Sequence, residues 1–298
     1  MRVLHLDAGK EMRGGQWQVL RLIEGLSAEG VESTLLARRD GPLLEAARRR
    51  RLRVTALTWP HLAVLARRHD VVHAHDARSH TMAAVAGGAP LVVARRVAFG
   101  VRAGMGSRWK YWRASRFVAV SEHVKQVLVE GGAAPAGKVA VVYDGVPLLP
   151  PSQGTRIVAP ADIGDPLKGY AMADWAAELG EFPLYMSDNL EEDLRTAGVF
   201  VYITYSEGLG SAVLLAMSAA VPVVASNEGG LKEVIEHRVN GLLVENSPYA
   251  IGEAVRELIA NPEWARSLGQ AARRTVSERF TVDRMVRETM EVYRQVTS

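Results

Sequence analysis

The stretch "VFVYITYSEGLGSAVLLAMSAAVPVVASNEGG" (199–230) decides the architecture. A β-branched and aromatic run over 199–204 halts at a turn holding Glu207, Gly208 and Gly210. An apolar helix is predicted over 211–219, and after Pro222 a second strand over 222–226 ends on the acidic turn Glu228-Gly229-Gly230. Strand, helix, strand in this compass is a βαβ unit, so the two strands run parallel and both turns lie at the same carboxyl edge. There Gly208 and Gly210 let backbone approach a ligand, and Glu207 presents a carboxylate suited to a polyhydroxylated ligand. The second turn offers the N–H groups of Gly229, Gly230 and Leu231 to a diphosphate. Either turn alone is compatible with ordinary helix capping.

The same alternation extends in both directions. Strands are predicted at 2–7, 32–37, 53–58, 71–75, 90–95, 117–121 and 139–145, separated by helical patterns such as 16–29 and 123–131. The proline-rich "GVPLLPPSQGT" (145–155) forbids helix and interior strand alike and reads as a linker. Beyond it, strands are expected at 156–161, 183–187, 199–204, 222–226 and 241–245, then helices at 248–260, 262–278 and 281–296. The fold class expected is α/β, with two Rossmann-like doubly wound domains facing each other across a cleft. Their expected limits are 1–149 and 150–280, with 281–298 a C-terminal helix packing back on the N-terminal domain.

Composition excludes several classes. At 298 residues, nearly half apolar and without low-complexity tracts, the chain is long enough for two globular domains. The absence of cysteine excludes disulfides, thiolate metal sites and a cysteine nucleophile. The apolar run around 214–225 is interrupted by Ser218 and Pro222 and is too short to span a bilayer. "MRVLHLDAG" lacks a secretory pattern, so a cytoplasmic location is expected. Net charge is a mild +3 with clumped arginines, suited to anionic ligands or to peripheral contact with an anionic membrane at its inner face, whereas Arg48–Arg51 also fits a solvated helix end. No nucleic-acid motif is present, and nucleic acid is not an expected partner.

Other turns carry candidate chemistry. Gly14-Gly15 precede a helix, where amides and dipole suit an anion, though glycines there also serve plain turn geometry. In "DVVHAHDARSH" the alternating His73 and His75 point the same way from a strand. No third ligand stands at recognisable metal spacing, leaving His75 either as a donor to bound substrate or as a structural histidine. "DPLKG" places Lys168 at the start of a predicted helix, a position disfavoured by the dipole unless the side chain reaches toward a phosphate.

Taken together, "RGGQWQVL", "DVVHAHDARSH", "SRWKYWRASRFVAVSEHVKQVL", "VVYDGV", "KG", "SEGLGSAVLLAM", "PVVASNEGGLKEVI" and "NGLLV" resemble the GT-B glycosyltransferases of family 4, retaining enzymes that use nucleotide-sugar donors. The resemblance covers nearly the whole chain. It implies hexosyl-type transfer from a nucleotide diphosphate-sugar to a hydroxyl of a glycan, lipid-linked or small-molecule acceptor, as in lipopolysaccharide or other cell-envelope synthesis. No cofactor or metal is implied. On this resemblance the donor sits in the C-terminal domain: Glu207 holds sugar hydroxyls, Lys168 binds donor phosphates, and the turn Gly229-Gly230-Leu231 supports sugar or diphosphate. Gly14 and Gly15 lie against the diphosphate, His75 contacts the transferring sugar, and Arg95 and Arg96 meet an anionic acceptor.

Three departures from the family pattern stand out. Leu215 occupies the position of a second glutamate that grips the nucleotide ribose, a lost charged hydrogen bond of about 1.5–3 kcal/mol. "APADIGDPLKG" has no arginine before Lys168, and only two strands are predicted between the linker and the strand at 199, so the second domain is shortened. These departures open the alternative of a weak or inactive GT-B-like binding or partner subunit.

Overall fold

The computed structural model describes residues 1–101, 104–161 and 164–297. The chain divides into two compact units, Met1–Asp144 with the terminal helix Val282–Thr297, and Gly145–Thr281. Asp162 and Ile163, in the segment before Lys168 that holds no arginine after Arg156, lie outside the described residues.

In unit 1 the strands β1 (Arg2–Asp7), β2 (Glu32–Ala37), β3 (Val54–Ala56), β4 (Val71–Ala74), β5 (Leu91–Arg95), β6 (Arg116–Ala119) and β7 (Val139–Val141) form a parallel sheet ordered β3-β2-β1-β4-β5-β6-β7. Its helices are α1 (Gly14–Ala28), α2 (Pro42–Arg49), α3 (Trp59–Leu65), α4 (Ala77–Ala86), α5 (Met105–Trp112) and α6 (Glu122–Glu130). Helix starts follow local chemistry. Asp76 caps α4 by accepting from the N–H groups of Arg78 and Ser79 at 2.8 and 3.0 Å, and Ser121 caps α6 through Val124 N–H. The strand expected over 139–145 is shorter because its partner β6 ends at Ala119, which pairs with Val141 and leaves no ladder to extend.

Unit 2 contains β8 (Arg156–Pro160), β9 (Leu184–Ser187), β10 (Ala197–Tyr202), β11 (Val223–Ser226) and β12 (Leu242–Val244), all parallel in the order β12-β11-β10-β8-β9. They alternate with α7 (Tyr170–Gly180), α8 (Leu190–Asp193), α9 (Ser211–Ser218), α10 (Leu231–Val234), α11 (Pro248–Ala260) and α12 (Pro262–Arg279). Only β8 and β9 precede β10, so this sheet is small. Strand β10 ends at Tyr202, two residues before the expected limit, because Thr204 leaves the ladder to form an antiparallel bridge with Lys168.

The last helix, α13 (Val282–Thr297), belongs to unit 1. Its Met285, Val286, Val292 and Tyr293 join Val3 of β1, Val71 of β4, Val92 of β5 and Leu22 and Leu26 of α1 in one buried cluster. Gly25 of α1 allows this approach, since a Cβ there would stand 2.5 Å from Val286 Cγ2. Among the described residues no helix is long and apolar enough to cross a membrane.

Tyr293 is fully buried, and its hydroxyl lies 2.6 Å from His73 Nδ1. Tyr293→Ala therefore removes both a large apolar body and a buried polar contact. The expected loss is about 3–5 kcal/mol of stability in unit 1 by denaturant unfolding; a loss below about 1 kcal/mol would mean that α13 is an appendage.

Candidate functional site

In unit 2 the carboxyl ends of β10, β11 and β12 are stitched together by side chains. Ser226 Oγ accepts from Thr204 N–H at 2.8 Å and donates to Asn246 Oδ1 at 2.6 Å, while Asn246 Nδ2 donates to the Thr204 carbonyl at 3.0 Å. This network fixes the start of the turn that carries Glu207. It holds Thr204 so that its backbone can bridge Lys168, whose peptide N–H returns to Asp165 O rather than opening a helix. Helix α7 begins at Tyr170, so the expectation that Lys168 opens it is corrected by two residues.

Lys168 and Glu207, 39 residues apart, meet here. Lys168 Nζ lies 2.6 Å from Glu207 Oε2 and 2.7 Å from Tyr202 OH, and Tyr202 donates to the same Oε2 at 2.5 Å. Glu207 Oε1 accepts from Gly208 N–H at 3.1 Å. The paired side chains are only 19% and 15% exposed. Burial, reinforced by the Glu207 carboxylate, holds the Tyr202 hydroxyl well above its ordinary pKa, so it stays a neutral donor. A crevice of about 10 Å³ beside Lys168, lined also by Gly169 and Tyr170, has room for roughly one water. The arrangement is a charge pair at a sheet's carboxyl edge, available to exchange partners with hydroxyls and phosphates.

The glycines around it are explained by close approach between turns. Gly229 has φ +51°, and a Cβ there would collide with the Glu207 carbonyl; one on Gly230 would collide with the Gly208 carbonyl. Gly210 caps α9 at φ +97°. Gly230 N–H donates to Glu207 O, and Leu231 N–H to Glu228 O, each at 3.1 Å. The expectation that all three amides of this turn are open to a diphosphate is corrected for these two: Gly230 holds the turn to its neighbour, and Leu231 closes the turn on itself. Leu215 is 5% exposed on α9, a helix buried nearly all round, and offers no acceptor.

In unit 1 a second constellation lies at the carboxyl end of β1 and β4. His5 and His73 are register partners on these strands, and His75 follows on the same face. All three are buried and neutral: burial lowers the pKa of each, to about 3 for His5 and well below the usual value for His73 and His75, and neighbouring cations and histidines add to it. Arg96 Nη1 lies 3.4 Å from His75 Nδ1 and can only donate, so His75 carries its proton on Nε2 and donates to His5 Nδ1 at 3.0 Å. The three imidazoles have ring nitrogens within 4.8 Å of one another. His5, from β1, is the third ligand that spacing within the β4 motif did not show: three neutral imidazoles are a donor set a divalent cation accepts, and the fixed charge of Arg96 beside His75 opposes one here.

Arg96 also pairs with Asp144 at 3.3 Å and passes beside Gly15, whose absent Cβ would lie 3.6 Å from Arg96 Cδ. Thus Gly15, His75 and Arg96 are brought together, with Gly14 exposed at the first turn of α1. Arg95 turns elsewhere, donating to the Phe99 carbonyl at 2.5 Å and reaching Tyr111 OH at 3.5 Å. Protein groups take up part of each guanidinium, Phe99 and Tyr111 that of Arg95, and Asp144 and His75 that of Arg96. Asp7, at the end of β1, accepts from Gly9 N–H and Gln16 Nε2, yet burial and then the nearby Asp76 raise its pKa to about 6.

Sequence reasoning missed Tyr202, Thr204, Asp7, Gln16 and Asp144. A usable signal existed for Tyr202, which stands two residues from Thr204 and hence on the same face of the strand.

Protein-wide comparisons agree with this architecture. The profile "Glycosyltransferase Family 4" matches residues 12–148, and "Glycosyl transferases group 1" matches residues 176–275. Among curated relatives, the Alpha-maltose-1-phosphate synthase of Mycolicibacterium smegmatis is 38% identical over 116 residues, 37% of this chain and 30% of that protein. Human Alpha-1,3/1,6-mannosyltransferase ALG2 is 30% identical over 125 residues, 41% of this chain and 29% of its own. The aligned segments therefore span less than a third of these relatives' lengths. Anabaena Alr3699/HepE, solved in complex with UDP and glucose, superposes with a TM-score of 0.87 at 16% identity, covering 98% of each chain. Sucrose-phosphate synthase from Thermosynechococcus elongatus gives 0.79 at 17%, covering 99% of this chain and 98% of that one. The fold is that of the GT-B glycosyltransferases, with two parallel-sheet α/β domains.

The buried histidines set a pH dependence. Their folded pKa values lie below the unfolded value near 6.5, so the stability they contribute is present above that pH and is lost as pH falls through it toward about 3. His80, lowered to about 3 chiefly by burial, adds to the effect. Asp7 acts oppositely, its contribution lost as pH rises from 3.8 to about 6. Urea unfolding at pH 7.5, 6.5 and 5.5 is expected to show stability falling on acidification, by about 1.4 kcal/mol per pH unit for each excluded proton. Asp7→Asn should gain stability above pH 6 and lose that gain below pH 4. A flat profile would contradict the neutral histidine cluster.

Proposed function

Since residues 12–148 belong to Glycosyltransferase Family 4 and residues 176–275 to the glycosyl transferases group 1, we propose that this chain transfers a sugar from a nucleotide diphosphate-sugar to a hydroxyl acceptor. The observation that carries this reading is the Lys168–Glu207–Tyr202 cluster at the carboxyl edge of β10. Glu207 accepts from hydroxyls of the donor sugar, and Lys168 turns its ammonium to the donor phosphates, stabilising negative charge as the diphosphate departs. Gly208, Gly210 and the turn at Gly229 shape the wall of this donor site, with the buried Leu231 packed behind Gly210 as its support.

Unit 1 holds the acceptor. Arg96 brings a positive charge beside Gly14 and Gly15 at the N-terminus of α1, where phosphate oxygens are favourably placed, and His75 can exchange its contact with Arg96 for one with the transferring sugar. Retention, with the departing phosphate assisting attack on the same face, is what the resemblance to family 4 implies; Glu207, paired with Lys168 and hydrogen-bonded to Gly208 N–H, acts as a hydrogen-bond acceptor and not as a nucleophile. The reading assigns charge neutralisation to Lys168 and Arg96 and needs no metal. Turnover is therefore expected to survive EDTA, and its loss and restoration by Mg²⁺ would overturn that assignment.

Peripheral membrane contact fits the same reading. Residues 77–121 contain no aspartate or glutamate, and within them Met105, Trp109 and Trp112 are exposed beside Arg108 and Arg113. Such a surface favours an anionic bilayer, consistent with a lipid-linked acceptor and a cytoplasmic location at the membrane's inner face. Salt-sensitive sedimentation with phosphatidylglycerol vesicles, and its loss in Trp109→Ser/Trp112→Ser, checks this.

The alternative of a weak or inactive binding subunit draws on Leu215, buried and unable to accept from a ribose. Calorimetric titration with UDP, GDP and ADP, followed by turnover of the corresponding sugar nucleotides, separates the two. At least one nucleotide is expected to bind. Glu207→Gln should cut turnover by about 100-fold or more in a protein that still folds, with its melting temperature lowered because Lys168 loses its buried counter-charge. Full activity in Glu207→Gln would overturn the site assignment, and no nucleotide binding at millimolar concentration would favour the subunit.

A further inference from the structure

Apart from the turn at Gly14, Gly15 and Arg96, unit 1 offers an anion a second place along the same sheet. From β1 the chain winds outward through β2 and β3; from β4 it winds the other way through β5, β6 and β7. The winding thus reverses between β1 and β4, and in open parallel sheets the crevice outside the carboxyl ends of strands at such a reversal receives ligands. A pocket of about 260 Å³ opens there. It is lined by Ala8 after β1, Arg38 and Arg39 after β2, Leu57 after β3, and Arg78 and Met82 on α4.

The three arginines come from two different βα connections and point into one concavity. Unlike Arg13, Arg50 and Arg53, which pair with Glu11, Glu24 and Glu32, their guanidinium groups have no hydrogen bond or ion pair among the described residues. No carboxylate lines the pocket. The nearest acid of α4, Asp76, is used by the N–H groups of Ala8, Arg78 and Ser79. Three uncompensated positive charges around one open space repel each other, and a compact oxyanion relieves that repulsion through forked, charge-assisted hydrogen bonds. Leu57, Met82 and Ala8 supply an apolar wall for the carbon skeleton bearing it.

We infer that this pocket binds an anionic substituent, a phosphate or carboxylate, of the sugar or polyol acceptor, and that Arg38, Arg39 and Arg78 select charged over neutral acceptors. The inference rests on the proposed transferase reading, of which it names the acceptor class. Isothermal titration of the full chain with glucose 6-phosphate, glucuronate and glucose tests it, and comparing the first two tells phosphate from carboxylate. At least one charged sugar is expected to bind, with glucose binding at least about tenfold more weakly. Arg38→Gln/Arg78→Gln should weaken the charged sugar by about tenfold or more, and Arg39→Gln by a smaller factor. Arg48→Gln on α2 should leave binding unchanged.

A parallel titration with UDP keeps the two readings apart. UDP binding without binding of either charged sugar would overturn the inference and leave the donor site standing. Charged-sugar binding that persists in the double variant, or that UDP displaces competitively, would overturn it too, because the anion would then occupy another site. Binding of a charged sugar lost in the double variant supports the inference even where UDP fails to bind.

Discussion

Parallel pairing is the constraint on which the rest of this molecule depends. Every strand pair in both sheets is parallel, so each connection must cross back over a face and every strand delivers its carboxyl end to one edge. Turns distant in sequence are thereby gathered along that edge. Lys168 and Glu207 meet this way after β8 and β10, as do Ala8, Arg39 and Arg78 after β1, β2 and β4. Chemistry collects at the edge because burial forbids it elsewhere: the strand interiors are almost wholly apolar and nearly without exposure.

The Lys168–Glu207 pair illustrates how such an edge stores polarity. Removing two charges from water is unfavourable, and their attraction compensates only when the remaining donors and acceptors are satisfied. Here Tyr202 and the Gly208 amide complete the shell of the carboxylate. A hydroxylated, phosphorylated ligand can replace these partners with equivalent ones, so exchange costs little desolvation. The glycines at 229 and 230 serve the same geometry by letting two turns touch at their backbones, which positions Glu207 without a side chain intervening.

Much of this was legible in the chain. Alternating apolar runs and turn residues identify all twelve strands, because a parallel sheet needs continuous β-branched segments whatever their partners. Their ends were less legible: β7 stops where β6 stops, and β10 stops where Thr204 turns to Lys168, both consequences of a neighbour distant in sequence. Lys168 and Glu207 were identifiable as chemistry-bearing residues, but not as each other's partners. Arg95 and Arg96 illustrate the converse, since a pair of arginines after a strand looks available until Phe99, Tyr111 and Asp144 are placed around it. The free arginines sit instead in the loop after β2 and in the first turn of α4, where no spacing distinguishes Arg38, Arg39 or Arg78 from their neighbours.

The terminal helix α13 completes the hydrophobic cluster of unit 1, with Tyr293 reaching His73 across 220 positions of sequence. In biosynthetic order this makes unit 2 an interruption. The first 144 residues leave the ribosome with an apolar flank on β1, β4 and α1 uncovered, and it stays so while the intervening 137 residues are made. Helix α13, made after unit 2, is thus the lid of the half made before it. A nascent chain must keep that flank from aggregating until α13 arrives, and truncation before α13 would injure unit 1 most.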